Sequence, residues 1–276
     1  MYSPEVDGLP FETTTLEAMR WRLGDRAMEL PGHVPFHVVI ICTGGEGLHE
    51  VDFAPVMLQP RRVVHVQPGQ VHRWRFARHY DTTVLLFDDP TGDLLRPGWP
   101  IGPQWFELDD SEWDHAQQVI ALARREIALR HPARRRDRAL HGALQRLIVS
   151  LGLDLARESE RSNLPRLYID LLNQLETDRE WSRSVTDRAD RLGYAPRTLT
   201  RACQQATGRT AKQVIDDRIM LEARRLLVHP TTTIDPIARQ LSFSEAGNFA
   251  KFFQRHAGEN PDAWRNRNDI KDTPGL

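Results

Sequence analysis

Two stretches of this sequence decide its fold: VTDRADRLGYAPRTLTRAC at residues 185–203 and IDPIARQLSFSEAGNFAKFF at residues 234–253. With a one-residue offset at the end, four positions match between them: Ala189 with Ala238, Leu192 with Leu241, Tyr194 with Phe243, and Leu199 with Phe249. A small residue is needed where two helices cross closely, and the leucine and the aromatic ring are predicted to fill the wedge between the helices. Gly193 suits the intervening turn, because glycine enters the left-handed backbone region at little cost. The repeat therefore predicts two helix-turn-helix units, about fifty residues apart.

Two prolines and a serine define the ends of these helices. Pro196 favours a helix start, so the second helix of the first unit is predicted to begin there. Pro236 is tolerated only near a helix start, which places that start at Thr233 or Ile234. Ser242 stands where the second unit would have a glycine, at a cost of about 1 kcal/mol if its backbone is left-handed. Residues 215–228 are predicted to form the helix that connects the two units.

The second helix of each unit carries side chains of the kind that contact DNA. In the first unit, Arg197, Thr200 and Arg201 fall on one helix face, with Thr198 beside them. Arginine bonds bidentately to guanine in the major groove, and threonine offers a hydroxyl or a methyl group. The corresponding face of the second unit consists of Ala246, Gly247, Asn248, Ala250 and Lys251. Its side chains are small and lack hydrogen-bonding groups, apart from one amide and one amine. We expect the first unit to read most bases and the second mainly to contact the DNA backbone. The alternative is that Arg197 and Arg201 form a solvated helix face that does not contact DNA.

The first hundred residues have the pattern of strands and turns. Runs rich in β-branched residues at 38–42, 62–66 and 82–87 are punctuated by glycine and proline, and residues 49–53 alternate weakly. Short strands at this spacing suggest a sandwich or barrel, and we predict a small β-barrel over residues ~12–95. A passage rich in proline and glycine, residues 97–103, separates this region from the helices that follow.

From Ser111 onward the hydrophobic period is helical. Ser111 is predicted to cap a helix, with Asp114 in the place of a capping-box carboxylate. A second helix after Pro132 has leucines at the 4, 3 and 4 spacing of a coiled-coil seam: Leu140, Leu144, Leu147 and Leu151. This seam either packs the helix on its own barrel or joins two subunits, and both alternatives stay open. The polar residues 156–163 are the predicted linker to an all-α C-terminal region.

Composition excludes several classes of protein. The 276 residues (31.8 kDa) are 27% charged and 40% hydrophobic, which is enough apolar mass for packed cores. Cys42 and Cys203 suggest neither a disulfide framework nor a zinc-ligand set. With no long apolar run and no secretory signal, we expect a soluble cytoplasmic protein. The net charge of −1 divides into −4 for residues 1–161 and +3 for residues 162–276, an asymmetry too small to argue for nucleic acid by itself.

The C-terminal hundred residues resemble the DNA-binding domain of AraC-type (AraC/XylS) transcriptional regulators. The resemblance is carried by residues 192–201, 208–211, 218–227 and 250–258, followed by Pro261 and Trp264-Arg265. Residues 33–37, 45–49 and 66–72 resemble that family's effector domain, a cupin-like barrel. The resemblance implies an α+β protein: a cupin-like effector-binding barrel at 1–110, a helical dimerisation segment and linker at 111–160, and a double helix-turn-helix domain at 161–276. It also implies a homodimer without enzymatic activity that binds double-stranded DNA and a small-molecule effector, with RNA polymerase as a candidate partner.

The competing hypothesis is a metal-dependent cupin oxygenase with an appended DNA-binding domain. It rests on His33, His37, His65 and His72, since histidine is a common iron ligand. If residues 33–37 are extended, a rise of about 3.3 Å per residue separates His33 from His37 by about 13 Å, too far to share one ion. The His-x-His pair and the following carboxylate of cupin dioxygenases are also missing, so we expect no metal, cofactor or catalytic residue. An RNA-binding or adaptor protein ranks last, because aromatic stacking platforms are not evident.

A barrel without metal still has room for a small molecule in an apolar cavity with a few polar anchors. The candidates for lining that cavity are Trp21, His37, His72 and Trp74. The alternative is that these rings simply pack the barrel.

Overall fold

A computed structural model gives the fold for residues 11–76, 80–87, 104–128, 142, 164–177, 181–229 and 231–268. The described residues up to 142 form one compact unit, and those from 164 onward form a second. The chain is therefore an α+β protein with antiparallel sheets in its N-terminal unit and helices in its C-terminal unit. Within the described ranges, no helix combines the length and the apolar character needed to cross a bilayer.

The N-terminal unit contains two antiparallel sheets. Its strands are β1 (Phe11–Thr15), β2 (Gly32–His33), β3 (His37–Gly45), β4 (Gly47–Val51), β5 (Ala54–Leu58), β6 (Arg62–Val66), β7 (Val71–Arg75), β8 (Tyr80–Phe87) and β9 (Gln104–Glu107). One sheet has the order β1-β8-β3-β6-β9 and the other has the order β2-β7-β4-β5. The predicted strands at 38–42, 62–66 and 82–87 are confirmed within β3, β6 and β8. Among the described strands, the two sheets are not joined into one closed sheet, which differs from the predicted small β-barrel.

The core of this unit lies between the two sheets. The five-stranded sheet contributes Val38, Ile40, Val64 and Leu86 to one buried cluster, and the four-stranded sheet contributes Val51, Val56, Leu58 and Trp74. The other face of the five-stranded sheet is also buried, since every residue from His37 to Cys42 is at most 6% exposed. Two helices, α1 (Leu16–Leu23) and α2 (Asp25–Glu29), connect β1 to β2.

A third helix, α3 (Asp110–Ala128), follows β9 and packs on the five-stranded sheet. Its Arg124 guanidinium donates a hydrogen bond to the Thr83 hydroxyl of β8 at 3.1 Å. Ser111 does not cap this helix as predicted. Asp109 does so instead, because its carboxylate accepts from the Glu112 N–H at 2.9 Å while the Glu112 carboxylate accepts from the Asp109 N–H at 2.9 Å.

The second predicted helix after Pro132, its leucine seam and the linker at 156–163 lie outside the described residues, as does the passage at 97–103. The choice between packing on the barrel and joining two subunits therefore stays a prediction.

The C-terminal unit is helical throughout its described residues. Its helices are α4 (Arg166–Thr177), α5 (Val185–Arg191), α6 (Pro196–Thr207), α7 (Ala211–Leu227), α8 (Ile234–Gln240), α9 (Ala246–Ala257) and α10 (Pro261–Arg267). The predicted connecting helix is confirmed as α7, which begins with a capping box between Thr210 and Gln213. It runs between the two helix-turn-helix units and has buried side chains along most of its length, among them Ile215, Ile219 and Ala223.

Candidate nucleic-acid interface

The first helix-turn-helix unit consists of α5, a turn and α6. Ser184 caps α5, because its hydroxyl accepts a hydrogen bond from the Asp187 N–H at 3.1 Å. Gly193 has a φ of +76°, which is the left-handed conformation predicted for this turn. Pro196 is confirmed as the first residue of α6, where its missing N–H costs no helical hydrogen bond.

The turn of the second unit has the same closing backbone hydrogen bond as the turn of the first. The Tyr194 N–H donates to the Ala189 carbonyl at 2.9 Å, and the Phe243 N–H donates to the Ala238 carbonyl at the same distance. Ser242 has a φ of +58° in the place of the glycine, so the predicted left-handed serine is confirmed. The predicted helix start is also confirmed, since α8 begins at Ile234 with Thr233 as its N-cap.

The matched aromatic residues of the two turns differ in their surroundings. Phe243 is 5% exposed and packs against the rings of Phe249 and Phe252, with centroid distances of 5.4 and 5.2 Å. Tyr194 is 48% exposed, so the prediction that it fills the wedge between its helices is wrong. The positions of α6 that correspond to the phenylalanines of α9 hold Leu199, Ala202 and Cys203. These smaller side chains do not enclose the Tyr194 ring.

Helix α6 has an apolar face toward the core and a cationic face toward solvent. Leu199 and Cys203 are fully buried, whereas Arg197 and Arg201 are exposed one helical turn apart. Neither guanidinium has a hydrogen-bond or ion-pair partner among the described residues. Thr198 and Thr200 are half-buried beside them. The donors of both arginines are therefore free to bind a partner outside this chain.

The N-terminal half of helix α9 presents a smaller and less charged face than the N-terminal half of α6. Gly247, Asn248 and Lys251 are exposed, whereas Ala246 and Ala250 are half-buried. The Asn248 amide donates a hydrogen bond to the Ser244 hydroxyl at 3.0 Å, which orients its side chain. A β-carbon added at Gly247 would meet nothing within 4 Å, and the φ of this residue is not left-handed. No contact or backbone strain within the described chain therefore requires glycine at this position.

In the N-terminal unit, the four candidates for an effector cavity do not converge. Trp21 is 88% exposed on α1. His37 lies on the face of the five-stranded sheet that points away from the core between the sheets, where its ring stacks on His65 at 5.2 Å. Only His72 and Trp74, on the inner face of β7, lie together. The structure thus groups two of the four predicted residues.

His49, which the sequence reasoning did not select, completes this inner group. It is fully buried, its Nε2 lies 3.3 Å from His72 Nδ1, and its ring packs edge-on against Trp74 at 4.6 Å. Burial lowers the pKa of His72 to about 4, and burial with the nearby His72 lowers the pKa of His49 well below its usual range. Both imidazoles are therefore neutral at pH 7. The signal that could have found His49 is its period-two spacing with Val51, a core residue.

Metal ligation was the basis of the oxygenase hypothesis. Among the residues that the structure describes, no three His, Cys, Asp or Glu side chains are placed to hold one metal ion. His37 and His72 lie on different sheets, and their side chains belong to different buried groups.

Comparisons with known proteins find relatives over most of the chain. Residues 188–267 match a family model described as a helix-turn-helix domain. The HTH-type transcriptional activator RhaS of Escherichia fergusonii is 24% identical over 238 residues, which cover 83% of this chain and 84% of that protein. RhaS of Escherichia coli K12 is 26% identical over the same length and coverage. Among solved structures, ToxT of Vibrio cholerae O395 aligns over 96% of this chain and 99% of its own, with 10% identity and a TM-score of 0.45.

Proposed function

We propose that this chain is a DNA-binding transcriptional regulator of the AraC type and that two of its helices read the operator. The helices α6 and α9 of one monomer enter successive major-groove faces of double-stranded DNA, about one turn (~34 Å) apart. The observation that carries this proposal is the repetition of one turn geometry in two places, with the same hydrogen bond after each left-handed residue. Each turn is followed by a helix that has a buried back and an exposed polar front.

The two helices have different tasks in this proposal. Helix α6 reads bases, with Arg197 and Arg201 as the main contacts and Thr198 and Thr200 beside them, because unpaired arginines are suited to bind guanine bidentately. Helix α9 mainly contacts the backbone, since the part of its face formed by residues 246–251 offers only the Asn248 amide and the Lys251 amine as side-chain hydrogen-bonding groups. Its contacting residues are Ala246, Gly247, Asn248 and Lys251.

The remaining parts of the chain serve regulation. Residues 1–110 form the cupin-like domain that senses a small molecule, residues 111–160 join two copies into a homodimer, and residues 161–276 bind DNA. The inner group of His49, His72 and Trp74 supports an effector site of mixed apolar and hydrogen-bonding character, because its imidazoles are uncharged and one ring nitrogen, His49 Nδ1, lacks a partner among the described residues. RNA polymerase in the cytoplasm is the partner that responds to the bound regulator.

Selection of the full-length protein against random duplex DNA tests the proposed reading. We expect the enriched sequences to contain two informative segments per monomer about 10 base pairs apart, the first more sharply defined than the second. A dimer repeats this pattern in a second half-site. Enrichment of one isolated segment, or of no sequence at all, would contradict reading by two helices.

A further inference from the structure

Arg183 connects the two helix-turn-helix units directly, in addition to the connection through α7. It immediately precedes Ser184, the N-cap of α5 in the first unit. Its guanidinium carbon lies 4.5 Å from the ring centroid of Phe243, in the turn of the second unit, and 4.7 Å from that of Phe252 on α9. Both distances are in the range of cation–π attraction. One side chain therefore spans from the start of the first unit to the turn and the second helix, α9, of the second unit.

The segment that carries Arg183 is held in place on both sides. Trp181 is buried beneath Arg218 of α7, whose guanidinium carbon is 5.0 Å from the ring centroid. The Ser182 carbonyl accepts a hydrogen bond from Arg188 Nε at 3.2 Å, and the Ser182 hydroxyl donates to the Asp187 carboxylate at 2.9 Å. Because its neighbours are fixed to α5 and α7, the position of Arg183 is set by the first unit.

The charge of Arg183 is directed toward Asp216, a buried carboxylate on α7. Arg183 Nε lies 4.0 Å from Asp216 Oδ1, and His256 Nε2 of α9 lies 4.0 Å from Asp216 Oδ2. Lys212 forms a closer ion pair with the same carboxylate. Asp216 thus faces Arg183 on the side of the first unit and the His256 ring on the side of the second.

A groove that is open to solvent lies at this junction. A cavity of about 400 Å³ is lined by residues 181–184 on one side and by Ser242, the left-handed residue of the second turn, on the other. Arg183 lines this groove, and its guanidinium stacks on Phe243 of the second turn.

We propose that Arg183 is a positioning residue that fixes the separation of α6 and α9 and thereby sets the spacing between the two DNA segments that one monomer reads. The proposal rests on the proposed function, in which both helices contact DNA. A rigid connection makes binding of the second segment effectively intramolecular, at the cost of tolerating only one spacing. A loosened connection lowers the affinity for DNA with the best spacing. It also reduces the loss of affinity for DNA whose spacing is one base pair longer or shorter.

The test compares binding of full-length variants to three duplexes: the selected operator and two versions with one base pair inserted or removed between the segments. We expect the wild type to lose about tenfold or more in affinity at the altered spacings, and Arg183→Ala to lose less than about threefold while binding the selected operator about tenfold more weakly. Affinity for a duplex with only the first segment should not change. Arg183→Lys, which keeps the charge but not the planar stack, should show an intermediate penalty.

Arg267→Ala is the matched control, because Arg267 is an exposed arginine that pairs with Glu259 beyond the end of α9 and does not bridge the two units. It should keep the full spacing penalty. If Arg183→Ala unfolds the domain, Arg183→Met, which keeps an unbranched apolar chain without the charged planar guanidinium, replaces it. An Arg183→Ala or Arg183→Met variant that loses as much affinity at the altered spacings as the wild type overturns the role of Arg183. A wild type that is indifferent to spacing contradicts the proposed function itself, so the two failures are distinguishable.

Discussion

Arg201 is the residue whose side chain is best placed to read a base. It is exposed on α6, one turn from Arg197, and has no partner among the described residues. Arg201→Ala should weaken binding to the selected operator by about 1–3 kcal/mol and relax base preference at one position. Fluorescence anisotropy with operators substituted at each position measures both effects. Arg267→Ala, which removes an exposed arginine that is already paired, should change neither; equal losses in both variants would assign Arg201 to nonspecific attraction.

A substitution at Gly247 distinguishes effects on stability from effects on DNA binding, because no contact or backbone strain in the described chain requires a glycine there. Gly247→Ala should raise the free energy of unfolding by about 0.5–1 kcal/mol, since alanine is the better helix former. The same change should weaken operator binding if DNA approaches the α9 backbone closely at this point. Urea unfolding and anisotropy measure the two quantities separately.

Gly32→Ala is the matched control for Gly247, because a β-carbon there also meets nothing within 4 Å, but the residue lies in the N-terminal unit. It should leave DNA binding unchanged. A Gly247→Ala variant that binds the operator as tightly as the wild type would show that α9 keeps a greater distance from DNA.

At the scale of single residues, sequence reasoning succeeded where spacing along one helix decides the outcome. The exposure of Arg197 and Arg201 follows from their i, i+4 relation to each other. The exposure of Tyr194 was not predictable in the same way, because it depends on the sizes of the residues that α6 places around it. Trp21 was selected as a cavity residue for its type, but α1 points it into solvent.

Among the elements, the turn of the second unit provides a test of backbone strain. Ser242 holds a left-handed φ of +58° that glycine adopts without penalty. Ser242→Gly should therefore stabilise the protein by up to about 1 kcal/mol, less the entropy that glycine loses on folding. Gly193→Ala, the reverse change in the matching turn, should destabilise it by about 1 kcal/mol. Thermal unfolding measures both variants, and stability changes of the same sign would contradict equivalent turns.

Helix and strand positions were largely predictable, whereas their faces and caps were less so. Pro196 and Pro236 located two helix starts because proline restricts φ in any context. Asp109 took the cap predicted for Ser111, since both are capping residue types and only the geometry with Glu112 distinguishes them. The face on which His37 lies was not predictable, because β3 is buried on both sides and alternation then carries no information.

At the scale of the whole molecule, the neutral histidine pair makes stability depend on pH. The pKa values of His49 and His72 are lowered in the folded protein, so the unfolded chain binds more protons below pH 6.5. The stabilisation is complete above that pH and is lost as the pH falls below it, for His72 down to about 4, with a slope of up to about 1.4 kcal/mol per pH unit for each histidine. Urea unfolding followed by tryptophan fluorescence between pH 7.5 and about 4.5 should show this slope.

His72→Gln should reduce that slope, whatever its effect on stability at pH 7. His115→Gln, at an exposed position on α3, should leave the slope unchanged and serves as the control. A pH dependence that is the same in both variants would contradict a buried neutral pair.

The two units differ in what the sequence alone revealed of them. The C-terminal unit was predictable because its motif occurs twice, and each copy fixes the interpretation of the other. The arrangement of the N-terminal unit in two sheets was not, since pairing between distant strands leaves no local signal.

Hydroxyl-radical footprinting of the full-length protein on its selected operator tests the central claim most directly, which is that one monomer contacts DNA with both α6 and α9. We expect each half-site to show two protected patches on one face of the duplex, about 10 base pairs apart, and we expect Lys251→Ala to weaken only the second patch of each pair. A single protected patch in each half-site would contradict the claim.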